Sequence, residues 1–324
     1  MKGKLRTAGW SIVFLALSFL SLSWGTVEIT PGEALVYTWQ AVLGVESGSI
    51  SSDVVQYLRL PHFILAFAVG WGLALCGTVM QAVMRNPLAD PYLLGISSGA
   101  GLGAVIAMAL GADAYLGVHG VSMCAFLGAV GISLAILFVA SAAGKGDSLT
   151  LLLVGFAMNA LCSAALSFII QAMADTHKTK SVQFWLMGNI IAAGSIFFMG
   201  QRRILDLMLI GDELSLSMGR NLAVYRKIYI LVVAVLVGSI VYVAGMVGFI
   251  GLIIPHMVRM AAGSGHKSLI PLAGLAGGCF LAWADVLGRN LINGTELPVG
   301  IMAAVCGAPF FAWLLLGGKY GGRP

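Results

Sequence analysis

Two kinds of side chain in this sequence could do chemistry: histidines, and charged residues that stand within or beside long apolar runs. His256 follows Pro255 in a glycine-rich apolar stretch, where a histidine could ligate a metal or relay a proton. A helical metal site needs a second ligand one turn away, but Met260 stands there and His266 falls in the following loop. The favoured interpretation of His256 is therefore structural.

Asp285 and Arg289 form the clearest charged pair beside an apolar run. They are four residues apart, so they share one face of a helix and are predicted to form an ion pair.

Enzyme signatures are missing. Lys145 lacks the upstream glycine and the following Ser or Thr of a phosphate-binding loop, and the chain has no HExxH motif. A chain of this kind that moves a solute uphill would take its energy from another protein.

The elements that position these residues are predicted to be membrane-spanning helices. The 324 residues are 59% hydrophobic and only 10% charged, with a mean hydropathy of +0.97. Soluble proteins carry about 25% charged residues, so a water-soluble enzyme is excluded, and lipid requires elements that satisfy their own backbone groups. We predict an all-α polytopic membrane protein, one domain over residues 1–324, with ten spans near 10–25, 58–82, 93–111, 118–141, 149–173, 184–201, 228–245, 247–262, 268–287 and 298–316.

The distribution of charge orients these spans. An even number of spans places both termini on one side, and the basic N-terminus together with Lys319 and Arg323 predicts that this side is cytoplasmic. Arg59 and Arg289 then fall outside, which topology does not explain. Residues 202–227 fall inside and alternate leucines with acids, so we expect a short amphipathic helix on the cytoplasmic surface, facing a partner or lipid headgroups.

The densest motif is the turn between the second and third spans, residues 85–101. Pro87 and Pro91 end one helix and set the turn into the next. Asn86 and Asp90 are expected to cap backbone amides of the following helix. So many constrained residues in one turn indicate a loop whose shape matters.

Together these clusters resemble the FecCD-type permeases of bacterial ABC importers, which carry vitamin B12, haem or ferric siderophores. The resemblance covers most of the chain beyond residue 55, through Leu58-Arg59-Leu60-Pro61, Gly77-x-x-Met80-Gln81 and residues 85–100, 184–188, 211–219, 248–259, 284–289, 296–300 and 307–313. It implies ten helices per subunit, a homodimer of this chain, two ATP-binding cassette ATPase subunits and an extracytoplasmic substrate-binding protein.

The resemblance also implies roles for individual residues. Docking of the binding protein is implied for Arg59, His62 and Arg289, with His62 standing where the family usually has an arginine. ATPase coupling is implied for Gly211, Asp212, Glu213, Ser215, Met218, Gly219 and Arg220. The cytoplasmic gate corresponds to Asn86, Leu88 and Ser148, and the wall of the pathway to Met158, Asn159 and Ser163.

One departure from the family pattern lies between Gly188 and Gly211, where this chain is shorter. Loss of the sixth helix would move residues 211–220 to the outer side, away from any ATPase. We therefore expect a short sixth helix that recruits residues 184–188, with local thinning of the bilayer.

The expected function is that of an importer permease in the bacterial cytoplasmic (inner) membrane, working by alternating access on an iron complex (ferric siderophore or haem) or on cobalamin. The chain is expected to catalyse no reaction and to hold no metal or cofactor, since ATP and Mg²⁺ would act in the ATPase; no nucleic-acid partner is expected. One alternative is a secondary transporter driven by an ion gradient, although few acids stand within the spans. Another is an intramembrane metalloenzyme using His256 and His266.

Overall fold

The chain consists of helices and turns, with no β-strand, in the part that the computed structural model describes. That part comprises residues 2–45, 48–87, 89–91, 95–111, 120–142, 148–172, 184–291, 297 and 299–316. A π-helical turn, Val54–Arg59, joins α3 to α4. In chain order the α-helices are α1 (Lys2–Leu20), α2 (Pro31–Leu43), α3 (Ile50–Asp53), α4 (Leu60–Val83), α5 (Ile96–Ala109), α6 (Gly120–Ala142), α7 (Ser148–Ala172), α8 (Phe184–Gly200), α9 (Arg202–Ile210), α10 (Asp212–Ser217), α11 (Leu222–Ala244), α12 (Ile250–Ala262), α13 (His266–Asn290) and α14 (Val299–Leu316).

Each predicted span overlaps an apolar helix. Within the described ranges, four stretches are long and apolar enough to cross a membrane by length and composition: Ile50–Val83, Met123–Ala142, Leu222–Val241 and His266–Asn290. The other predicted positions hold shorter apolar stretches. The short sixth helix is present as α8, which begins at Phe184 and has 17 residues.

The centre of the bundle is the pair formed by α4 and α13, and α4 also packs on α11 and α12. In the most apolar stretches of α4 and α13, 67% and 72% of the residues are buried, respectively. A Cβ atom on Gly70 would lie 2.1 Å from the carbonyl oxygen of Gly277. Because no side chain fits there, the two backbones touch, as small residues allow between helices in lipid.

A second pair, α5 and α6, lies beside this centre. A Cβ atom on Gly128 would lie 2.2 Å from the carbonyl oxygen of Gly99, and one on Gly103 would lie 2.1 Å from that of Cys124. α7 packs on α5, whereas α11 packs on both α6 and α4 and so joins the second pair to the centre. Only 33% of the most apolar window of α6 is buried, so most of this helix faces outward.

The first helix, α1, packs along α13. The indole Nε1 of Trp283 on α13 donates a hydrogen bond of 3.0 Å to the carbonyl oxygen of Leu17, which precedes it by 266 residues. The rings of Trp24 and Trp283 meet edge to face, with their centroids 6.1 Å apart. These contacts tie the beginning of the chain to a helix near its end.

Backbone hydrogen bonds close the turn that follows α4. The N–H of Asn86 donates to the carbonyl oxygen of Gln81 (3.1 Å), and the N–H of Arg85 donates to that of Ala82 (3.2 Å). Arg85 adopts a left-handed conformation with φ 49°. This combination is a Schellman motif in which an arginine occupies the position that usually holds glycine.

The N-terminus of α5 differs from the prediction. Its N-cap residue is Gly95, with φ 77°, so neither Asn86 nor Asp90 occupies the capping position expected for them. A Cβ atom at position 95 would lie 3.0 Å from the backbone nitrogen of Asn159 on α7. The close approach of α7, together with the left-handed backbone, explains a glycine here better than a polar cap does.

The glycine-rich stretch that precedes His256 interrupts the helices. α11 ends at Ala244 and α12 begins at Ile250, and the residues between them are not helical. Phe249 at the N-cap of α12 has a φ of 70°. Pro255 lies inside α12 rather than at the break.

Candidate functional site

The end of the bundle that is predicted to face the cytoplasm carries α9 and α10 on its surface. α9 buries Leu205 and Met208 completely in the core. The end of α9, α10 and the residue after α10 expose large apolar side chains, each between 38% and 65% accessible: Leu209, Ile210, Leu214, Leu216 and Met218. The predicted amphipathic surface helix is therefore present as two short helices, and an exposed apolar face of this kind marks an interaction site.

The residues predicted to couple to an ATPase fall into two groups. Those exposed on α10 and the turn after it are Glu213, Met218, Gly219 and Arg220. Gly211 and Ser215 are buried instead, and the Ser215 hydroxyl donates a hydrogen bond of 2.7 Å to the carbonyl oxygen of Gly211. The exposed group can reach a partner protein, whereas Gly211 and Ser215 shape the turn between α9 and α10.

Asp212 also turns toward the bundle. Its Oδ1 accepts a hydrogen bond of 2.7 Å from Nη2 of Arg226 on α11, whose side chain is only 3% exposed. The Nε of Arg226 donates a second bond, of 3.3 Å, to the carbonyl oxygen of Val83 at the end of α4. The other oxygen of Asp212, Oδ2, lies 3.8 Å from Nη2 of Arg85. The Asp212 carboxylate thus connects α10 to α11 and to the end of α4.

A second carboxylate on the same surface segment binds the beginning of α13. Oδ1 of Asp206 on α9 accepts a hydrogen bond of 3.0 Å from the backbone N–H of His266. The same oxygen lies 2.7 Å from Nδ1 of the His266 imidazole. Since His266 is the first residue of α13, Asp206 acts as an N-cap supplied by another helix. The imidazole of His266 is fully buried.

A polar link inside the bundle joins α4 to α12. Nη2 of Arg259 donates a hydrogen bond of 2.7 Å to Oε1 of Gln81. The Gln81 amide nitrogen donates to the carbonyl oxygens of Gly251 (3.2 Å) and Leu252 (3.1 Å). Gln81 is 1% exposed, so its hydrogen-bonding groups are satisfied within the protein.

At the opposite end, Arg59 is buried and does not face outward as the docking role requires. Its side chain is 4% exposed. Nη1 donates hydrogen bonds of 3.0 Å to the carbonyl oxygens of Leu22 and Ser23, and Nη2 donates to that of Val27. These acceptors lie in the segment between α1 and α2, whose carbonyl groups are not bonded within a helix. The structure therefore assigns Arg59 to fixing this segment.

Arg289, in contrast, is partly exposed and forms the predicted ion pair. Its Nη2 and Nε lie 2.8 Å and 3.0 Å from Oδ2 of Asp285, which confirms the pairing expected from their spacing. Nδ1 of His62 lies 3.8 Å from the other oxygen of Asp285, and the His62 side chain is 41% exposed. Arg289 and His62 are thus accessible at least in part, and they share the Asp285 carboxylate.

The predicted gate residues are described only in part. Asn86 is partly exposed at the turn after α4. Ser148 is the first residue of α7, but its side chain lies outside the described residues, as does all of Leu88. Of the three predicted gate residues, the structure therefore describes the side chain of one, Asn86, which follows Arg85.

The predicted pathway residues lie on α7. Met158 and Asn159 are partly buried, and Met158 packs against the hydrophobic core. Ser163 is exposed on the same helix. α7 also exposes large apolar side chains along its length: Leu153, Phe156, Leu161 and Phe168. This helix therefore presents a mixed surface to whatever lies beside it.

Sequence reasoning missed the polar links between helices. Arg226, Asp206 and the pair Gln81–Arg259 were not singled out for the partners that they have, because those partners are 14 to 178 residues away. A usable signal existed for Gln81, which is a long polar side chain within an otherwise apolar helix. Over the described ranges, no group of three or more His, Cys, Asp and Glu side chains could hold a metal ion.

A bundle in which four of the described helices are long and apolar enough to cross a membrane is the architecture of a polytopic membrane protein. The family follows from comparison with known proteins. The chain belongs to the FecCD transport family, whose model matches residues 13–317.

Individual relatives match over most of their length. The chain is 36% identical over 319 residues to the hemin transport system permease protein HmuU of Yersinia pestis, covering 94% of each chain. It is 34% identical over 299 residues to the cobalamin import system permease protein BtuC of Halobacterium salinarum, covering 88% of this chain and 79% of that one. A solved metal-chelate type ABC transporter in an inward-facing conformation superimposes with a TM-score of 0.79 at 26% identity, covering 97% of this chain and 99% of that one.

Proposed function

We propose that this chain is the transmembrane permease subunit of an ATP-driven importer for an iron complex, either haem or a ferric siderophore, or for cobalamin. The observation that carries the proposal is the similarity to a hemin permease over 94% of both chains. Haem heads the list of cargoes because the hemin permease is 36% identical to this chain, against 34% for the cobalamin permease of Halobacterium salinarum and the vitamin B12 permease of Citrobacter koseri.

The proposed assembly contains two copies of this chain, two ATPase subunits and a substrate-binding protein on the outer side. All ten apolar helices would cross the bacterial cytoplasmic (inner) membrane, with both termini inside. α12 has 13 residues and α8 has 17, which is about 20 Å and about 25 Å at about 1.5 Å per residue. A core of about 30 Å would then be spanned with local thinning of the bilayer, a modest energetic penalty.

The proposed mechanism is alternating access. ATP and Mg²⁺ would bind only in the ATPase subunits, and this chain would hold no cofactor. The exposed residues Leu214, Leu216 and Met218 fit a hydrophobic groove on the ATPase, with Glu213 and Arg220 at the rim. Movement of α10 would then open and close a gate near Asn86, Leu88 and Ser148. Met158, Asn159 and Ser163 would line the cavity between the two copies.

Docking of the binding protein is proposed for Arg289 and His62. Both are accessible beside Asp285, and a carboxylate on the binding protein could take the place of Asp285 at the Arg289 guanidinium. Arg59 is left out because its guanidinium is buried against carbonyl oxygens of the same chain.

Uptake by proteoliposomes tests the function. The chain would be reconstituted with its ATPase and binding protein, and uptake of haem, ferric siderophores and cobalamin would be measured with ATP, with ADP and with a non-hydrolysable analogue. We expect uptake of one cargo only with ATP. Uptake of a cargo with an ion gradient and without ATP would instead support the secondary-transporter alternative.

A docking measurement tests the outer site. Arg289→Ala is expected to slow association of the binding protein and to flatten its salt dependence, because long-range attraction governs the on-rate. The matched control is Lys267→Ala, which removes one positive charge at the opposite end of α13. Equal on-rates for Arg289→Ala and the wild type at low salt would overturn the docking assignment.

A further inference from the structure

The coupling segment and the turn after α4 are joined by charged side chains. Asp212 begins α10, next to the exposed apolar face proposed to bind the ATPase. Its carboxylate lies between Arg226, on α11, and Arg85, in the turn. Arg85 is covalently followed by Asn86, a proposed gate residue.

We infer that Asp212 is a positioning residue that connects α10 to the end of α4 and the gate turn, and that it does not contact the ATPase. The inference rests on the proposed function and deepens it, since it identifies the path from the ATPase-facing surface to the gate. The adjacent acid, Glu213, is exposed and has the opposite role: it faces the partner.

The stronger arm of the connection runs through Arg226. Its guanidinium is nearly inaccessible and binds two groups at once, Oδ1 of Asp212 at 2.7 Å and the carbonyl oxygen of Val83 at 3.3 Å. A buried arginine with two such partners has a fixed position, because any displacement would leave a charged group unpaired in a low-dielectric surrounding. A shift of Asp212 is therefore passed to the last turn of α4.

The second arm runs through Arg85. Its Nη2 lies 3.8 Å from Oδ2 of Asp212, and its Nη1 lies against Gly211, 3.2 Å from where a Cβ atom would stand. Arg85 holds a left-handed backbone conformation that arginine rarely adopts and glycine adopts readily. A residue kept in an unfavourable backbone conformation indicates that its side chain has a role at that position. We assign that role to the contact between Arg85 and α10.

The two arms give α10 a direct connection to the gate turn. The same turn is closed by backbone hydrogen bonds from Arg85 and Asn86 to the end of α4. A movement of α10 therefore shifts the whole turn through these direct contacts. It does not depend only on the general packing of the helices.

Three variants test the connection. Asp212→Asn removes the charge that both arginines bind. Arg85→Gly removes one guanidinium and suits the left-handed backbone, so the turn should form at least as well as in the wild type. The matched control, Asp53→Asn, makes the same change at an exposed aspartate on α3, which belongs neither to the proposed coupling surface nor to the gate. Arg85→Lys keeps the charge and serves as the conservative variant.

The first readout is cargo imported per ATP hydrolysed, in the assembled transporter. We expect this ratio to fall about fivefold or more for Asp212→Asn and about threefold for Arg85→Gly, with partial recovery in Arg85→Lys. Retention of the ATPase subunits should be unchanged in these variants. In Asp53→Asn the ratio should stay at the wild-type value.

The second readout needs no cargo. Amide hydrogen exchange of the turn peptide that contains Arg85 and Asn86 should change when ATP is added to the wild-type complex and should lose that response in Asp212→Asn and Arg85→Gly. A normal exchange response without import of any cargo would count against the proposed cargo while supporting the connection.

Two results would overturn the inference. One is an Asp212→Asn variant that loses ATPase subunits and keeps the wild-type import per ATP, which would make Asp212 a partner contact. The other is an Arg85→Gly variant with normal thermal stability, normal import per ATP and an unchanged exchange response. If Asp212→Asn does not fold, Arg85→Gly and Arg85→Lys decide the question.

Discussion

The α4–α13 pair and the α5–α6 pair use the same packing and differ in what surrounds it. In both pairs a glycine of one helix faces a backbone carbonyl of the other at a distance that excludes a Cβ atom. Side chains of the α4–α13 pair also bind other parts of the chain: Gln81 binds α12, Trp283 binds α1 and His266 binds α9. In the α5–α6 pair, Ser98 and Ser133 bond to carbonyl oxygens of the preceding turn.

This difference shows that close packing of two helices does not by itself hold them in place. Small residues allow two helices to approach closely. A steric clash at such a contact can be removed if one of the helices faces outward and can move away. The α4–α13 pair has neighbours on most sides and hydrogen bonds to several of them, so it has no such freedom. We infer that α4 and α13 move as one body during transport, whereas α6 can change its distance from α5.

The largest effect is expected for Gly70→Ala. The new Cβ atom would lie 2.1 Å from a backbone carbonyl oxygen of α13, and the helices cannot separate without disturbing their other contacts. A loss of about 3 kcal/mol is expected, measured as thermal unfolding of the purified chain in detergent and in nanodiscs. Gly131→Ala is the control, because a Cβ atom there meets nothing within 4 Å.

A smaller loss, about 1 kcal/mol, is expected for Gly103→Ala in the second pair. The geometric clash is as severe, with 2.1 Å to the carbonyl oxygen of Cys124, but α6 can move outward. The same unfolding measurement compares the two variants directly. If Gly103→Ala and Gly70→Ala lower the stability equally, the proposed contrast between the pairs is wrong.

Asp206→Ala tests a hydrogen-bonded attachment of the central pair. The change removes the acceptor for the backbone N–H of His266, and a lost N-cap lowers stability by about 1 kcal/mol. Hydrogen exchange should show faster exchange confined to the first turn of α13. Asp206→Asn retains an acceptor oxygen and should have a smaller effect; faster exchange throughout α4 and α13 would contradict a local role.

The smallest effect concerns α2, which belongs to neither pair. Glu33 accepts hydrogen bonds of 2.8 Å from the backbone N–H and from the hydroxyl of Thr30, and these bonds hold its pKa below the ordinary value of 4.5. Because the folded-state pKa is the lower one, the stabilisation is present above the ordinary value and is lost as the pH falls through the folded value.

Amide exchange of residues 31–43, corrected for its intrinsic pH dependence, checks this expectation between about pH 6 and about pH 3. Protection should decline toward the acid end in the wild type. It should be independent of pH in Glu33→Gln. A decline of the same size in the central pair would mean that acid acts on the whole bundle and not on the α2 capping box.

The helices and the outer ion pair could be predicted because they depend on local spacing. Long apolar runs define helices in lipid whatever lies beside them, and this explains the agreement at all ten predicted positions. Asp285 and Arg289 are four residues apart, so helix geometry alone brings them together. Residues 184–188 lie in α8, as the count of available residues predicted.

The inner-end contacts and the burial of Arg59 could not be predicted, because they depend on which helices become neighbours. The acceptors for Arg59 lie 32 to 37 residues earlier in the chain, and the π-helical turn that contains it changes the helical register in a way that the sequence does not reveal. Asp212 and Glu213 are both acidic neighbours on one short helix. Only the position of Arg226 shows that one faces inward and the other outward.

The order in which the chain is synthesised gives the contact between α1 and α13 a further consequence. The carbonyl oxygen of Leu17 receives its donor only when Trp283 has been made, and Gly70 meets Gly277 at a similarly late stage. The earliest helices must therefore remain in the membrane with their partner faces open while most of the protein is still being translated. A chain released before α13 would leave the glycine face of α4 exposed to lipid, without the backbone of α13 that packs on it.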